Sequence, residues 1–404
     1  MSQGPVPCAE VGNAGKETQM KNFASLWLSA LLPGLLAACA SAPIVPPPVQ
    51  LFNDKLFSPA SERISAADVF AASAAMKRYL KVDIANQLQV KGTQQGLIDA
   101  LNSKDQLKVE YDSATTRNAA QTFDERAGNC LSLVIMTAAL AKELGMSVHF
   151  QSVFVDETWS RSGGLHFSVG HVNLTIGKRV HDIKSRIDDN VMITIDFNPP
   201  IENKSYYTWA IKEQTVLAMY MNNRSAEALA RGYIDDAYWW AREAITQDPA
   251  FVSAYNTLGV VYRRHGDAAA AEEVFNYALS RDPANIQVMS NLAMVLNDAG
   301  RAAESRMLSE KVAQKQPFAP FHFFTIGTDA MKAGDFRKAR DMFMRELARD
   351  PYNHEFHFWA AAAFAKLGDM TQSKRHLGIA IDFSTTRREH DLYAAKLDRL
   401  KAVY

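Results

Sequence analysis

The chain has 404 residues, and its 44 basic and 44 acidic side chains give a formal net charge of zero. Because the charges balance and no long run carries a single sign, the composition argues against electrostatic binding to nucleic acid. Hydrophobic residues make up 48% of the sequence, which is enough for a substantial core, and the length allows two or three domains.

The N-terminal segment has the pattern of a secretion signal. A basic start at Lys21 precedes a short apolar stretch and then Leu36-Ala37-Ala38-Cys39. This tetrapeptide resembles the lipobox of bacterial lipoproteins, in which cleavage leaves the cysteine as a lipid-modified N-terminus. The resemblance implies a signal peptide over residues 1–39 and lipidation at Cys39. Ala40 after the cysteine then favours the outer membrane of a Gram-negative bacterium, with the body of the protein facing the periplasm.

Two alternatives remain open for this segment. The first is that the segment is an ordinary secretory peptide or an uncleaved anchor, although it resembles a lipoprotein signal more closely. Met20-Lys21 also forms a natural start for such a peptide, in which case residues 1–19 are not translated. Residues 40–52 are rich in proline and are expected to form an extended tether between the membrane and the folded body.

Residues 53–215 are predicted to form an α+β domain around a helix that begins at Cys130. Asn129 is the expected N-cap of this helix, and Gly145 is expected to end it. The helix is apolar nearly all round, so it should be buried. Its N-terminal partial positive charge favours the thiolate form of Cys130.

The cysteine count leaves Cys130 without a disulfide partner. Cys8 and Cys39 both lie in the N-terminal segment, so Cys130 would be a free thiol in an oxidising compartment. Either the thiol has a chemical role or it is a buried, inert side chain, since cysteine is among the residues most often buried.

Alternating polar and apolar residues after this helix predict an antiparallel meander of three strands. The strands are expected near 148–153, 170–177 and 191–197, with a loop over 156–168 between the first two. His171 and Asp196 fall on the polar faces of the second and third strands, opposite the apolar faces.

The rest of the chain repeats with a period of 34 residues. Four proline-containing dipeptides keep this spacing, and so do five glycines. The markers are Asp248-Pro249, Asp282-Pro283, Gln316-Pro317 and Asp350-Pro351, with Gly232, Gly266, Gly300, Gly334 and Gly368.

This pattern resembles tetratricopeptide (TPR) repeats, each a pair of antiparallel helices. Residues 218–387 are predicted to hold about five repeats, and 388–404 a C-terminal helical tail. The second helix of 286–319 is weak, because Ser305 and Ser309 replace the small and aromatic packing residues. The resemblance implies a protein or peptide partner in the concave groove of the array.

The order of Cys130, His171 and Asp196 resembles the transglutaminase-like superfamily of the papain-like fold. The similar segments are Arg126-Ala127-Gly128-Asn129-Cys130, Gly170-His171-Val172-Asn173-Leu174 and Ile195-Asp196-Phe197-Asn198-Pro199, within about residues 105–200. The resemblance implies an α+β transglutaminase-like domain and a catalytic triad. Cys130 would attack an amide carbonyl, His171 would transfer the proton, and Asp196 would orient the imidazole. Hydrolysis as a peptidase or amidase is favoured over transfer to an amine.

Other assignments of the site stay open. His149, His166 and His181 compete for the role of the base, and Asp188 and Asp189 lie in an apparent turn. A zinc site built on Cys130 lacks a compact pair of further ligands, so the sequence predicts neither a metal nor a cofactor. The run from Gly128 to Leu133 is also similar to a branch of the superfamily in which the cysteine is not always kept.

Two hypotheses therefore follow from the sequence. In the first, the protein is a lipid-anchored periplasmic cysteine hydrolase whose repeats recruit a protein substrate or partner. In the second, it is a noncatalytic TPR scaffold with a degenerate transglutaminase-like domain.

Overall fold

The computed structural model describes residues 46–103, 107–162, 165–179, 192–197 and 207–403. The segment 36–39 that resembles a lipobox, together with His181, Asp188 and Asp189, lies outside the described residues. Within the described ranges, no helix is both long enough and apolar enough to cross a membrane.

The N-terminal part of the described chain contains six helices and a small sheet region. The helices are α1 (Ala66–Val69), α2 (Ala74–Arg78), α3 (Ala85–Lys91), α4 (Thr93–Asn102), α5 (Ala119–Glu125) and α6 (Cys130–Glu143), with a π-helical turn at Tyr79–Asp83. The strands are β1 (Glu110–Tyr111), β2 (Ala127–Gly128), β3 (Met146–Ser162), β4 (Leu165–Arg179), β5 (Ile193–Ile195) and β6 (Thr208–Ile211).

The main sheet has the strand order β5-β4-β3-β6, and its neighbouring strands are antiparallel. The predicted meander therefore corresponds to β3, β4 and β5. Val148 pairs with Ile176, and Ile176 pairs with Ile193, so apolar residues share one face of the sheet as the alternation predicts. Helix α6 packs against β3 and β4 and is buried from Cys130 to Ala141.

The strands differ from the prediction in three respects. The segment expected as a loop over 156–168 is largely strand, because β3 continues to Ser162 and β4 begins at Leu165. A register shift between Val153 and Thr158 interrupts the alternation of polar and apolar residues along β3. The alternation pattern therefore does not predict the second part of this strand. Strand β5 is shorter than expected, and β6, which pairs with β3, was not predicted.

Five antiparallel helix pairs and a final helix follow. They are α7 (Glu213–Arg231) with α8 (Ile234–Gln247), α9 (Val252–His265) with α10 (Ala268–Arg281), α11 (Ile286–Asp298) with α12 (Ala302–Lys315), α13 (His322–Lys332) with α14 (Phe336–Leu347), α15 (His354–Lys366) with α16 (Met370–Asp382), and α17 (Arg387–Val403). Each of the five periodic glycines lies between the two helices of a pair with a positive φ of 77° to 100°, which glycine adopts without a Cβ clash.

A glycine and an aromatic ring join the two helices of the second and fourth repeats. A Cβ placed on Gly259 would lie 2.5 Å from the Phe275 ring, and one placed on Gly327 would lie 2.6 Å from the Phe343 ring. The aromatic ring on the second helix of the pair therefore fits only because the facing residue of the first helix has no side chain. At the corresponding positions the third repeat has Ala293 and Ser309.

The weak third repeat divides the apolar core. Helix α12 has no buried side chain, as the serines predicted. One apolar cluster extends from the N-terminal part to Leu296 of α11, and a second lies within repeats four and five. The two clusters share no residue, so within the described part of the chain no continuous core crosses the junction between the third and fourth repeats.

The close packing at Gly259 gives a matched pair of expected effects. Gly259→Ala should lower the free energy of unfolding by about 1–3 kcal/mol, because its methyl group would overlap the Phe275 ring. Gly378→Ala, in α16, should raise it by about 0.5–1 kcal/mol, because nothing lies within 4 Å of a Cβ there and alanine favours the helix. Urea denaturation of both variants checks this, and shifts in the same direction would contradict the packing argument.

The end of the expected tether packs on the repeats. Val49–Leu51 form a 3₁₀ turn, and the Tyr262 hydroxyl donates to the Leu51 carbonyl at 2.8 Å. The Phe57 ring stacks on Tyr238 of α8 with centroids 3.9 Å apart. The extended conformation predicted for 40–52 is therefore wrong for Val49–Leu51. This turn and the residues that follow it contact the first two repeats, which local sequence patterns do not indicate.

Candidate functional site

Cys130 lies in the first turn of α6, where the sequence predicts it. The Asn129 side chain accepts a hydrogen bond from the Ser132 backbone N–H at 2.9 Å, which fixes the start of the helix. Cys130 is a free cysteine with 8% of its surface exposed. Its Sγ lies 4.0 Å from the Gly170 carbonyl oxygen, next to His171 in the chain.

The strand register brings His171 and Asp196 together on one face of the sheet. Thr194 of β5 pairs with Thr175 of β4, and Asp196 follows the last residue of β5. The Nε2 atom of His171 lies 2.8 Å from Oδ1 and 3.0 Å from Oδ2 of Asp196. Because His171 is only 8% exposed, this pair is shielded from solvent on the imidazole side.

The contacts of His171 favour its charged form. Burial by itself lowers the pKa of His171, but the hydrogen bond to Asp196 and the hydrogen bond and charge interaction with Cys130 outweigh it and raise the pKa to about 9. Since Asp196 contacts Nε2, Nδ1 is the ring nitrogen left for the thiol. At neutral pH the site therefore holds an imidazolium between a carboxylate and a cysteine.

The competing residues lie elsewhere or outside the described residues. His149 is exposed on β3, where it pairs with Thr175. The backbone of His166 pairs with Arg161 at the far end of the β3–β4 pair. Among the described residues, no group of three or more histidine, cysteine, aspartate or glutamate side chains could hold a metal ion.

A polar network links this site to the first repeat. Asn129, the cap of α6, donates from Nδ2 to the Thr116 hydroxyl at 2.9 Å, and the Thr116 backbone N–H donates to Glu227 of α7 at 2.7 Å. Arg224 of α7 lies 3.5 Å from Glu227 and donates to the Thr116 carbonyl at 3.5 Å. Sequence patterns do not indicate this network, because Thr116 lies far from Arg224 and Glu227 in the chain and none of these three residues belongs to a motif.

Removal of Glu227 should weaken the fold around the site. Glu227→Ala is expected to lower the free energy of unfolding by about 1–3 kcal/mol, because the Thr116 N–H loses its acceptor and Arg224 loses a partner. Glu310→Ala, at an exposed glutamate of α12, is the control and should have little effect. Urea denaturation measures both variants, and equal losses of stability would contradict a structural role for the network.

The first helices of the repeats form the inner face of the array, a name used below for the surface of α7, α9, α11, α13 and α15. Helix α9 contacts both α7 and α11, and α13 contacts α15, whereas the second helices approach each other less closely. Between α9 and α11, Asn291 donates to Asn256 at 2.8 Å and Arg263 pairs with Asp298 at 2.8 Å. Met294 lies beside Arg263 and is 42% exposed. A solenoid with closely spaced first helices is concave on that side.

The comparisons agree with the assignment of the repeats. A tetratricopeptide repeat family model matches residues 222–286, 256–320 and 324–373. This part of the chain therefore consists of TPR repeats, a class of helical repeat that binds peptides or proteins.

Curated relatives share only part of their length with this chain. Superkiller protein 3 of Schizosaccharomyces pombe is 22% identical over 221 residues, which is 53% of this chain and 14% of that protein. DnaJ homolog subfamily C member 7 of Homo sapiens is 30% identical over 173 residues, which is 43% of this chain and 30% of that protein. The chain thus spans less than a third of either relative.

Several solved structures show partial similarity to this chain. The structure of pilF from Pseudomonas aeruginosa is 20% identical in sequence and has a TM-score of 0.27, and the match covers 47% of this chain and 94% of that one. Another is YrrB, described as a TPR protein with an unusual peptide-binding site, at 19% identity with a TM-score of 0.24, covering 45% of this chain and 92% of that one.

Proposed function

We propose that the protein binds a segment of another polypeptide along the inner face of its TPR repeats. The observation that carries this proposal is the inner face between repeats two and three. There Asn256, Asn291, Arg263 and Asp298 provide hydrogen-bonding and charged groups beside the exposed Met294. A surface of this composition can bind both the backbone and an apolar side chain of a bound segment.

A matched pair of charge reversals tests this proposal. Arg263→Glu changes the inner face of the second repeat, and Arg281→Glu changes an exposed position at the end of its second helix. Each full-length variant is immobilised, and the retained proteins are quantified by mass spectrometry. We expect Arg263→Glu to lose a specific partner that the wild type and Arg281→Glu both retain. Equal retention by all three proteins would contradict the proposal.

A second candidate function is acyl transfer at Cys130. The 2.8 Å hydrogen bond between His171 and Asp196, with Cys130 beside the imidazole, supports it. In such a reaction Cys130 would attack an amide carbonyl carbon as the thiolate of an ion pair with the His171 imidazolium, which already holds the proton, and a sulfur–carbon bond would form. The carbon–nitrogen bond would then break as His171 protonates the leaving amine, and water would hydrolyse the thioester. The backbone N–H of Cys130, at the start of α6, could donate to the developing oxyanion.

A peptide vinyl sulfone tests this second candidate, because such a probe adds covalently to an activated thiolate. We expect a Cys130 adduct in the wild type and a greatly reduced adduct in His171→Ala and Asp196→Asn. The control is Thr175→Val, which changes another buried residue of β4, the strand that carries His171. Adducts of equal yield in the wild type and His171→Ala would contradict catalysis. The interaction function would then be the remaining candidate.

Localisation is part of the proposal as well. The lipobox at Leu36–Cys39 favours a lipid anchor at Cys39, with the repeats in the periplasm and a membrane as the second partner. Growth with an alkyne-tagged palmitate should label the wild type and not Cys39→Ser. Equal labelling of both proteins would contradict the anchor.

A further inference from the structure

The paired residues 158–162 of β3 and 165–169 of β4 form what we call the β3–β4 ribbon. It lies beyond the part of the sheet where β5 and β6 pair, since β6 pairs with β3 only from Phe150 to Val153. The ribbon belongs to the N-terminal part of the chain, yet its described side chains contact the fourth and fifth repeats.

Arg161 makes the most specific of these contacts. Its Nη2 donates to Oε1 of Glu355 at 2.5 Å and its Nε donates to Oε2 at 3.2 Å, which is a two-pronged ion pair. The guanidinium carbon also lies 4.5 Å from the centroid of the Phe324 ring and 5.4 Å from that of Phe321. Arginine over an aromatic face is a favourable cation–π geometry.

Trp159 makes an apolar contact next to it. This side chain packs against the second apolar cluster, which lies within repeats four and five. Because side chains two positions apart on a strand point the same way, Trp159 and Arg161 contact the repeats as one unit.

The contacted surface is the inner face. Phe324 lies on α13 and Glu355 on α15, the first helices of repeats four and five, and these two helices contact each other. The ribbon therefore occupies the side of the array that we propose as the partner-binding side. Because the described residues form no continuous core between repeat three and repeats four and five, the position of repeats four and five relative to the rest of the protein depends on contacts of this kind.

We infer that the inner face of repeats four and five is a binding site for an extended segment that carries an aromatic residue and, two positions later, an arginine. The protein's own Trp159 and Arg161 fill this site, and a partner protein with the same pair displaces them. This inference rests on the proposed binding function and defines the chemistry of the partner. A tethered segment acts like a free ligand at about millimolar concentration, so the intact ribbon weakens binding of the partner.

Fluorescence anisotropy with a labelled peptide of residues 155–162 of this chain tests the inference. The full-length proteins are the wild type, Trp159→Ala/Arg161→Ala, and that double variant with Glu355→Gln. We expect the double variant to bind the peptide at least about tenfold more tightly than the wild type, because its site is vacated. Adding Glu355→Gln should weaken the binding about tenfold again, because the ion pair is lost. Glu310→Gln in the double variant is the control and should leave binding unchanged.

Equal affinity of the wild type and the double variant would overturn the inference, as would binding that is insensitive to Glu355→Gln or no binding to any protein. Circular dichroism and thermal unfolding establish that each variant is folded, and Arg161→Gln alone is a milder variant that should also tighten binding. These outcomes are independent of the Arg263→Glu comparison, which concerns repeats two and three. Failure of the inference and failure of the proposed function are thus distinguishable.

Discussion

Replacing His171 with alanine should slow the reaction of Cys130 with iodoacetamide at pH 7 by about 100-fold. The thiolate is the reactive form of cysteine, and it requires a nearby group that takes the proton or balances the charge. His171 contacts Cys130 and is held by Asp196 at 2.8 Å, so it can do both. The rate is measured by mass spectrometry of the peptide that contains Cys130, which separates it from Cys8 and Cys39.

Thr175→Val is the control for this experiment, since Thr175 is buried on the same strand and the same face as His171. Its reaction rate should match that of the wild type. If Cys130 of the wild type reacts only after denaturation, or if His171→Ala reacts as fast as the wild type, Cys130 is a structural cysteine. The noncatalytic scaffold hypothesis would then describe the whole protein.

Raising the pH from 6.5 to 9 should remove about 3 kcal/mol of stability through His171 alone. The pKa of His171 is about 9 in the folded protein and about 6.5 in an unfolded chain. Between these values the folded state binds the extra proton, so the free energy of unfolding falls as the pH rises. Below pH 6.5 both states are protonated, and the full contribution is present.

Asp196→Asn separates this contribution from those of other groups that titrate in the same range. The variant keeps the side-chain shape but lacks the negative charge that helps to raise the pKa of His171. Urea denaturation of both proteins between pH 6 and 9.5 should give a steeper loss of stability for the wild type. Parallel curves would show that the charge of Asp196 does not hold a proton on His171.

The repeats could be predicted from the sequence because their signals are local and periodic. The glycine at each turn recurs every 34 residues because the backbone there needs a positive φ, and Phe275 and Phe343 occupy equivalent packing positions in the second and fourth repeats. Even the weakness of the third repeat was visible in Ser305 and Ser309, and α12 has no buried side chain.

The three members of the candidate site could also be predicted, because a helix cap and the alternation of two strands fix their positions. Asn129 identifies the start of α6, and strand parity places His171 and Asp196 on a common face. The surroundings of the site could not be predicted. The contacts of Thr116 with Glu227 and of Arg161 with Glu355 join residues 111 and 194 positions apart, and no local pattern encodes such distant pairs.

The ribbon shows a second limit of sequence reasoning. Glycines at 163 and 164 and the irregular pattern around Trp159 favour a loop, yet β3 continues to Ser162. The register shift after Val153 moves the side chains out of phase, so the alternation that identifies the start of the strand does not continue through it.

Photo-crosslinking from the third repeat tests the central claim, that the inner face of the array binds a polypeptide. A photoreactive amino acid replaces either Met294 on the inner face or Met307 on α12, which are 42% and 57% exposed. We predict a crosslink from position 294 to the partner that Arg263→Glu fails to retain, and none from position 307. Equal crosslinking from both positions, or a crosslink from position 307 alone, would contradict the claim.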